Sequence, residues 1–386
     1  MPDSPLRPYL VPVFVPGRGV VEGPAIRLEV GRTLLGREEG EGVLGFPTDS
    51  RVSRHHAGLT LEEESWRLSI EDLASKNGTF VNGRPVEMQH LIDGDLLRIG
   101  ESFFVVRWRA RAEEPASDLG GRAPAMSVIR QALSRLSPHT ARVLIEGPKG
   151  ATFDPLVGAV HRRINPEGGV IHLEAEGLES EVLRRALAET STVVLSCVEA
   201  LSAAAVGALV EGPRSAPVVV TTEADTEEAV IRGHPLGAVV LSFEANRLRA
   251  PRLAERREDL LGLLVASLGD DLPLPTPELV ETLLIYDWPG DMKELAALAA
   301  DLRVRGAGLD ALVTELVSPR LRGKFQRSDT EVDPFTEMDV RRPVPSRQDL
   351  EGLLAIHSGS VDAIAEALGR SRMEVMTWLQ KHALED

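Results

Sequence analysis

Residues 31–83 read GRTLLGREEGEGVLGFPTDSRVSRHHAGLTLEEESWRLSIEDLASKNGTFVNG. Short apolar and β-branched runs, RTLLG, HAGLTL, WRLSIED and GTFVNG, alternate there with Gly, Asn and Asp turns. Two Asn-Gly pairs lie close together, Asn77-Gly78 and Asn82-Gly83. Such a pair is the strongest short hairpin signal, because both residues tolerate positive φ. LLRIG and SFFVVRW extend the pattern toward Trp108. The spacing predicts an all-β sandwich.

The turns between these runs carry an ordered set of polar residues. They are Gly36-Arg37, Ser53-Arg54-His55-His56, Ser75-Lys76-Asn77-Gly78-Thr79 and Asn82-Gly83. A planar guanidinium makes two charge-assisted bonds to a phosphate, a serine adds a short neutral donor, and an asparagine amide pairs with peptide backbone as donor and acceptor. Loops held by a rigid sheet suit such residues. The set resembles the signature of forkhead-associated (FHA) domains, Gly-Arg, Ser-x-x-His and Asn, over most of residues 28–108. That resemblance implies phosphothreonine binding. Arg37 and Ser53 are then expected on the phosphate, Arg54 and Lys76 beside it, and Asn77 on the partner's backbone. Gly36, His56, Gly78, Asn82 and Gly83 are expected to be structural, with His56 bracing the Ser53 loop.

The chain has 386 residues, enough for about two to four domains. It is 43% hydrophobic and 26% charged, ordinary for a soluble protein. Aromatics are scarce, so packing must rest on Leu, Val and Ala. The single cysteine, Cys197, excludes an internal disulfide framework and suits a reducing cytoplasm. It follows an apolar run and reads as an inert core cysteine. The start lacks the pattern of a signal peptide, and no apolar run is long enough to span a bilayer, so no membrane partner is expected. A formal charge of −16 argues against non-specific nucleic-acid binding by the whole chain.

After the polar stretch RAEEPASDLGG the pattern changes to strands alternating with helices, which implies a parallel sheet. VLIEG, VIHLEA, TVVLSCVEAL and PVVVTTEAD are the strand candidates. Residues 252–317 read as mostly helical, broken at Trp288-Pro289-Gly290. The motif WPGDMKEL at 288–295, the run LAERREDL at 253–260 and the segment from Leu144 to His161 resemble the AAA+ domain of sigma-54-dependent activators. Measured against that family, the chemistry is missing. The loop is Gly147-Pro148-Lys149-Gly150-Ala151-Thr152-Phe153-Asp154, with Phe153 where the family has its phosphate-binding lysine. Pro148 lacks a backbone donor, and Lys149 is four residues out of register. Ser196-Cys197 replace the acidic pair, Glu223 stands at the sensor asparagine and Lys293 at a later arginine. Arg232 is the nearest candidate for a finger arginine. Residues 170–193 are too few to hold the loop that touches sigma factor. No catalytic residues, metal or cofactor are therefore expected, and the domain is expected to be a non-enzymatic scaffold or oligomerisation body.

The tail LEGLLAIHSGSVDAIAEALGRSRMEVMTWLQKHAL resembles the Fis-type helix-turn-helix that ends many such activators. Ala365, Gly369 and the apolar set Ile364, Leu368, Val375 and Trp378 have the required spacing. By that match Arg370 and Ser371 meet phosphates, and Arg372, Thr377 and Lys381 face the major groove. Glu374 lies on the same presumed face, and residues 341–386 hold six Lys or Arg against seven Asp or Glu, so a helical dimerisation module remains the alternative. Residues 319–345 are poor in core formers and read as a disordered linker. Within it Thr330 and Thr336 each precede an aspartate by three positions, and Arg327 precedes Thr330 by three. Either threonine, once phosphorylated, is a candidate ligand for the chain's own β-sandwich loops.

The expected architecture is multidomain. It comprises an all-β sandwich at 10–110, an α/β P-loop-like body at 120–248, a helical lid at 249–318, the linker at 319–345 and a small all-α helix-turn-helix at 346–386. The expected function is a cytoplasmic bacterial transcription regulator. It would read a Ser/Thr kinase's output as phosphothreonine, bind DNA and form a homo-oligomer. The alternative is a phospho-dependent scaffold whose tail binds protein.

Overall fold

The computed structural model describes residues 6–21, 23–110, 119–213, 215–269 and 272–322, with positions 350, 354, 361, 364, 375, 376, 378 and 379 of the tail. The chain divides into two compact units, Met1–Gln326 and Arg327–Asp386.

The first unit opens with a sandwich of strands: β1 (Leu6–Val15), β2 (Gly19–Val20), β3 (Ile26–Arg27), β4 (Gly31–Gly36), β5 (Val43–Gly45), β6 (Ala57–Leu61), β7 (Leu68–Asp72), β8 (Thr79–Val81), β9 (Arg84–Val86), β10 (Met88–Leu91), β11 (Leu96–Ile99) and β12 (Ser102–Ala110). One sheet has the order β2-β1-β12-β11-β8-β9, with β3 also on β1, and the other β10-β7-β6-β4-β5. Leu10, Leu97, Ile99, Phe104 and Val106 of the first sheet meet Leu35, Leu59, Leu61, Leu68 and Ile70 of the second in one core.

The two Asn-Gly pairs behave differently. Asn82 (φ 51) and Gly83 (φ 78) form the two-residue turn between β8 and β9, as the hairpin rule predicts. Asn77-Gly78 does not make a hairpin. It sits in a loop that carries the chain from β7 in one sheet to β8 in the other, and there Gly78 has positive φ (78). Asn77 was free to serve something other than a turn.

The α/β body follows. Its elements are α1 (Pro124–Ser134), β13 (Arg142–Glu146), α2 (Asp154–Ile164), β14 (Val170–Glu174), α3 (Ser180–Leu187), β15 (Thr192–Ser196), α4 (Ala203–Glu211), β16 (Val218–Thr222), α5 (Thr226–Ile231), α6 (Pro235–Ser242) and β17 (Arg247–Arg249). The sheet is parallel, in the order β14-β15-β16-β13-β17. Its central strands β13, β15 and β16 are near-continuous apolar runs because both faces are covered. Leu144, Val193, Leu195, Val218 and Val220 pack toward α3, α4 and α6, whereas Val143, Ile145, Val194 and Val219 pack toward α1 and α2. The jump from β13 to the edge strand β14 makes a crevice at the carboxyl end of β13, where open α/β sheets place ligands.

The lid is α7 (Arg257–Leu268), α8 (Pro277–Ile285), α9 (Asp291–Arg305) and a short α10 (Pro319–Arg322). Trp288 (φ 50) lies within the α8–α9 connection and donates its indole N–H to the Leu283 carbonyl at 3.0 Å. The first residues expected in the disordered linker are ordered. Pro319–Arg322 form a helical turn with Leu321 buried in the lid core, and the rest of that linker lies outside the described residues.

The lid core continues into the sandwich. Val11, Val13 and Phe14 of β1, Leu96 of β11, and Phe103 and Val105 of β12 belong to the same apolar cluster as Leu260, Leu264, Leu283 and Leu295 of the lid. The β1–β12–β11 part of the first sheet is thus buried on both faces. This explains the unbroken run Phe103-Phe104-Val105-Val106, all fully buried. In the second unit Leu350, Ile364, Val375 and Leu379 are helical and share a small core, with Leu354, Val361 and Trp378 against it.

Candidate functional site

Three loops converge at one end of the sandwich: that after β4, that between β5 and β6, and that between β7 and β8. Buried polar groups hold them together. The Arg37 backbone N–H donates to the Ser53 carbonyl at 3.0 Å. His56 is buried, and its Nδ1 accepts the Ser53 N–H at 3.0 Å. That acceptor role leaves the proton on Nε2, which donates to the Gly78 carbonyl at 3.1 Å. Burial pushes the His56 pKa below its ordinary value, which favours this neutral tautomer. Gly36 is needed for the same approach, since a Cβ there would lie 2.1 Å from the Arg54 carbonyl oxygen.

Two aspartates not singled out in the sequence organise the loops. Asp72 accepts the Ser75 N–H at 2.9 Å, and its other oxygen accepts the Ser75 and Thr79 hydroxyls at 2.6 Å each. Desolvation raises its pKa, but these hydrogen bonds outweigh it and hold the carboxyl below its usual value. The Ser75 hydroxyl oxygen in turn accepts the Gly78 N–H at 2.9 Å. Asp49, fully buried, accepts the Arg51 and Glu101 N–H groups and the Ser102 hydroxyl at 3.0, 2.8 and 2.7 Å. Neither aspartate has a motif neighbour; only the density of Ser, Thr and Gly around each hinted at a turn-capping role. Asn82 is a brace as well, donating to Asp95 at 2.8 Å and accepting the Leu96 N–H at 3.0 Å.

This scaffold presents few groups to solvent. The Ser53 hydroxyl oxygen accepts the Lys76 N–H at 3.1 Å, leaving its own proton free to donate outward. Arg54 and Lys76 are exposed, and Arg37 is half-buried. Among the described residues, none of these three cations has a side-chain ion partner, whereas the nearby Arg51 is paired with Glu101 at 3.5 Å. Asn77 donates its amide to the Arg51 carbonyl at 2.6 Å, which pins the side chain at the loop rim with its amide oxygen available. The arrangement is a patch of unpaired positive charge around a serine hydroxyl on hydrogen-bonded loops. It can hold a multiply charged oxyanion.

The crevice of the α/β body is organised differently. The loop after β13 is a tight turn, with the Ala151 N–H donating to the Pro148 carbonyl at 3.0 Å. The Phe153 ring folds back over Gly147, where a Cβ would lie 2.7 Å from it. Gly150 (φ 87) touches the start of α9, the Lys293 N–H donates to its carbonyl at 2.9 Å, and a Cβ on it would fall 2.1 Å from the Gly290 oxygen. Lys293 and Glu223 pair with each other at 2.8 Å, and that hydrogen bond raises the lysine's pKa. Asp154 lies in the first turn of α2 and Ser196 ends β15. Arg232 is exposed and paired with Glu228. Cys197 departs from the core position expected for it. It is exposed, in the left-handed region (φ 55) just past β15, with a thiol pushed up by desolvation and then by Glu199, Glu174 and Glu223. The buried strand ends one residue too early to enclose it. The tail residues Arg370, Ser371, Arg372, Thr377 and Lys381 lie outside the described residues.

Comparison with known proteins agrees with this division. The FHA domain family matches residues 30–100. The glycogen accumulation regulator GarA of Mycobacterium tuberculosis is 32% identical over 109 residues, covering 28% of this chain and 65% of GarA. The C4-dicarboxylate transport transcriptional regulatory protein DctD of Pseudomonas aeruginosa is 26% identical over 368 residues, covering 88% of this chain and 73% of DctD. The DNA-binding transcriptional regulator NtrC of Escherichia coli is 22% identical over 312 residues, covering 69% of this chain and 65% of NtrC, so the chain spans just under two thirds of that relative's length. Residues 30–100 are an FHA domain, and the domain that follows matches members of the sigma-54-activator family.

Proposed function

We propose that this chain is a signalling regulator that binds phosphothreonine on a partner protein through its FHA loops and DNA through its tail, with a central domain that does not hydrolyse ATP. The observation that carries the reading is the unpaired cation patch of Arg37, Arg54 and Lys76 around the Ser53 hydroxyl, on loops locked by His56, Asp49 and Asp72. Arg37 and Ser53 hold the phosphate, Arg54 and Lys76 flank it, and Asn77 takes the peptide backbone through its free amide oxygen. The input is the product of a Ser/Thr kinase.

The magnesium nucleotide that the family resemblance implies does not fit the residues present. A phosphate chain needs backbone donors, a free cation and carboxylates for the metal. Pro148 has no N–H, Phe153 puts an apolar ring over the loop, and Lys293 is neutralised by Glu223. The domain is therefore a scaffold that can hold subunits together. The tail's charge balance leaves a protein-binding scaffold as the second reading.

Two measurements test this on the full-length protein. A phosphothreonine peptide library should bind, and Arg37→Ala should abolish binding without shifting the melting temperature; equal affinity in the two proteins sinks the site. Peptides bearing phosphorylated Thr330 or Thr336 belong in the same assay. Their failure, with the library still binding, assigns the ligand to another protein. For the tail, selection from random duplexes at physiological salt should recover a palindromic site that Arg372→Ala loses. No enrichment from protein that still binds phosphopeptide moves the reading to the scaffold.

A further inference from the structure

A cavity of about 560 Å3 lies between the α/β body and the lid. Its apolar wall has three sources: Val20 and Val21 from the N-terminal hairpin, Met126 and Leu156 from α1 and α2, and Leu263 and Met292 from α7 and α9. That volume is within the range of small-molecule sites, about 300–1,000 Å3.

Five charged side chains also line it: Arg122, Arg256, Glu258, Asp259 and Asp291. Each is already engaged by the protein. Arg122 donates to the Pro12 and Gly23 carbonyls at 3.2 and 2.8 Å. Asp259 accepts the Arg122 N–H and pairs with Arg256 at 3.1 Å. Glu258 is gripped by Arg107 through both oxygens, at 2.8 and 2.7 Å. Asp291 accepts the Leu253 and Met292 N–H groups at 2.8 and 2.9 Å. The wall therefore carries three acids against two arginines, an excess of negative charge. An anion entering it would be desolvated against that acidic excess, at a large cost. Where a phosphate chain would extend, the Gly150 loop is shut against Gly290 and Lys293.

We propose that this cavity is a binding site for an uncharged, largely apolar small molecule, not for a nucleotide. The Thr152 hydroxyl, which has no hydrogen-bond partner among the described residues, is a side-chain handle for orienting such a ligand. An occupant touches the hairpin of the FHA sandwich, the α/β body and the lid at once, so its binding stabilises their joint arrangement by mass action. The site is independent of what the FHA loops bind.

The probe is the neutral dye Nile red, titrated by fluorescence into the full-length protein. Gly262→Leu and Ala266→Trp, both on α7 at the cavity wall, serve as filling variants. Leucine also favours a helix over glycine, which protects folding. The expected result is saturable single-site binding, weakened about tenfold or more by either variant, unaffected by millimolar Mg-ATP, with phosphopeptide binding retained. Absence of saturable binding, affinity in both variants equal to that of the unaltered protein, or displacement by Mg-ATP overturns the proposal.

Discussion

At the scale of single residues, His56 shows how a buried side chain governs a site it does not touch. Its Nδ1 must be an acceptor for the Ser53 N–H, so protonation there breaks the brace. Burial lowers the folded-state pKa, while the hydrogen bond to Gly78 and then Asp72 and Asp49 oppose that shift without reversing it. The unfolded chain therefore binds the proton more readily than the folded one. Stability is fully present above the unfolded value of 6.5 and declines as pH falls through it toward the folded value. The slope from this one group is at most about 1.4 kcal/mol per pH unit. Thermal melts of the ligand-free protein across that window should show the decline, and His56→Gln should flatten it. Parallel profiles for the two proteins would mean that another group titrates. Such a brace was visible in the sequence as the Ser-x-x-His spacing. The roles of Asp49 and Asp72 were not, because a capping aspartate looks like any turn aspartate until its donors are located.

At the scale of elements, the contact between β12 and α7 joins the sandwich to the lid. Arg107 reaches from the strand to Glu258 on the helix with a two-pronged grip, and also bonds Asp93 at 2.9 Å. Both partners are almost wholly buried, with side chains 8% and 0% exposed. Removing one partner of a buried, hydrogen-bonded ion pair costs about 3–5 kcal/mol. Arg107→Met should lower urea-unfolding stability by that order, and Arg107→Met with Glu258→Leu should recover most of the loss, because a buried pair and an apolar pair of similar size differ little. Independent, additive losses in the double variant would show that the pair is not coupled in this way. The run Phe103-Phe104-Val105-Val106 was a readable sign of this docking. A strand facing water on one side alternates polar and apolar residues, and this one does not.

At the scale of the whole molecule, the FHA sandwich, the α/β body and the lid make one compact unit. Local patterns determined much of it in advance. Asn82-Gly83 dictated a hairpin because few other pairs enter the left-handed region cheaply, and the apolar strands of the body called for a sheet covered on both sides. The cation-bearing turns identified the candidate phosphate site because chemistry at such a site depends on residue type and order along the loops. Other features required contacts between residues far apart in the chain. Asn77-Gly78 became a crossing between sheets, Cys197 came out of the core, and Pro319–Arg322 remained within the lid. Lys293 and Glu223, separated by seventy positions, met as an ion pair, and the wall of the cavity was assembled from three parts of the chain. Sequence alone determined which segments are strands and helices, since these depend on periodicity and backbone preference over a few residues. Only the tertiary structure decided which charges are paired and which stay free, because pairing depends on packing between segments that no local pattern encodes.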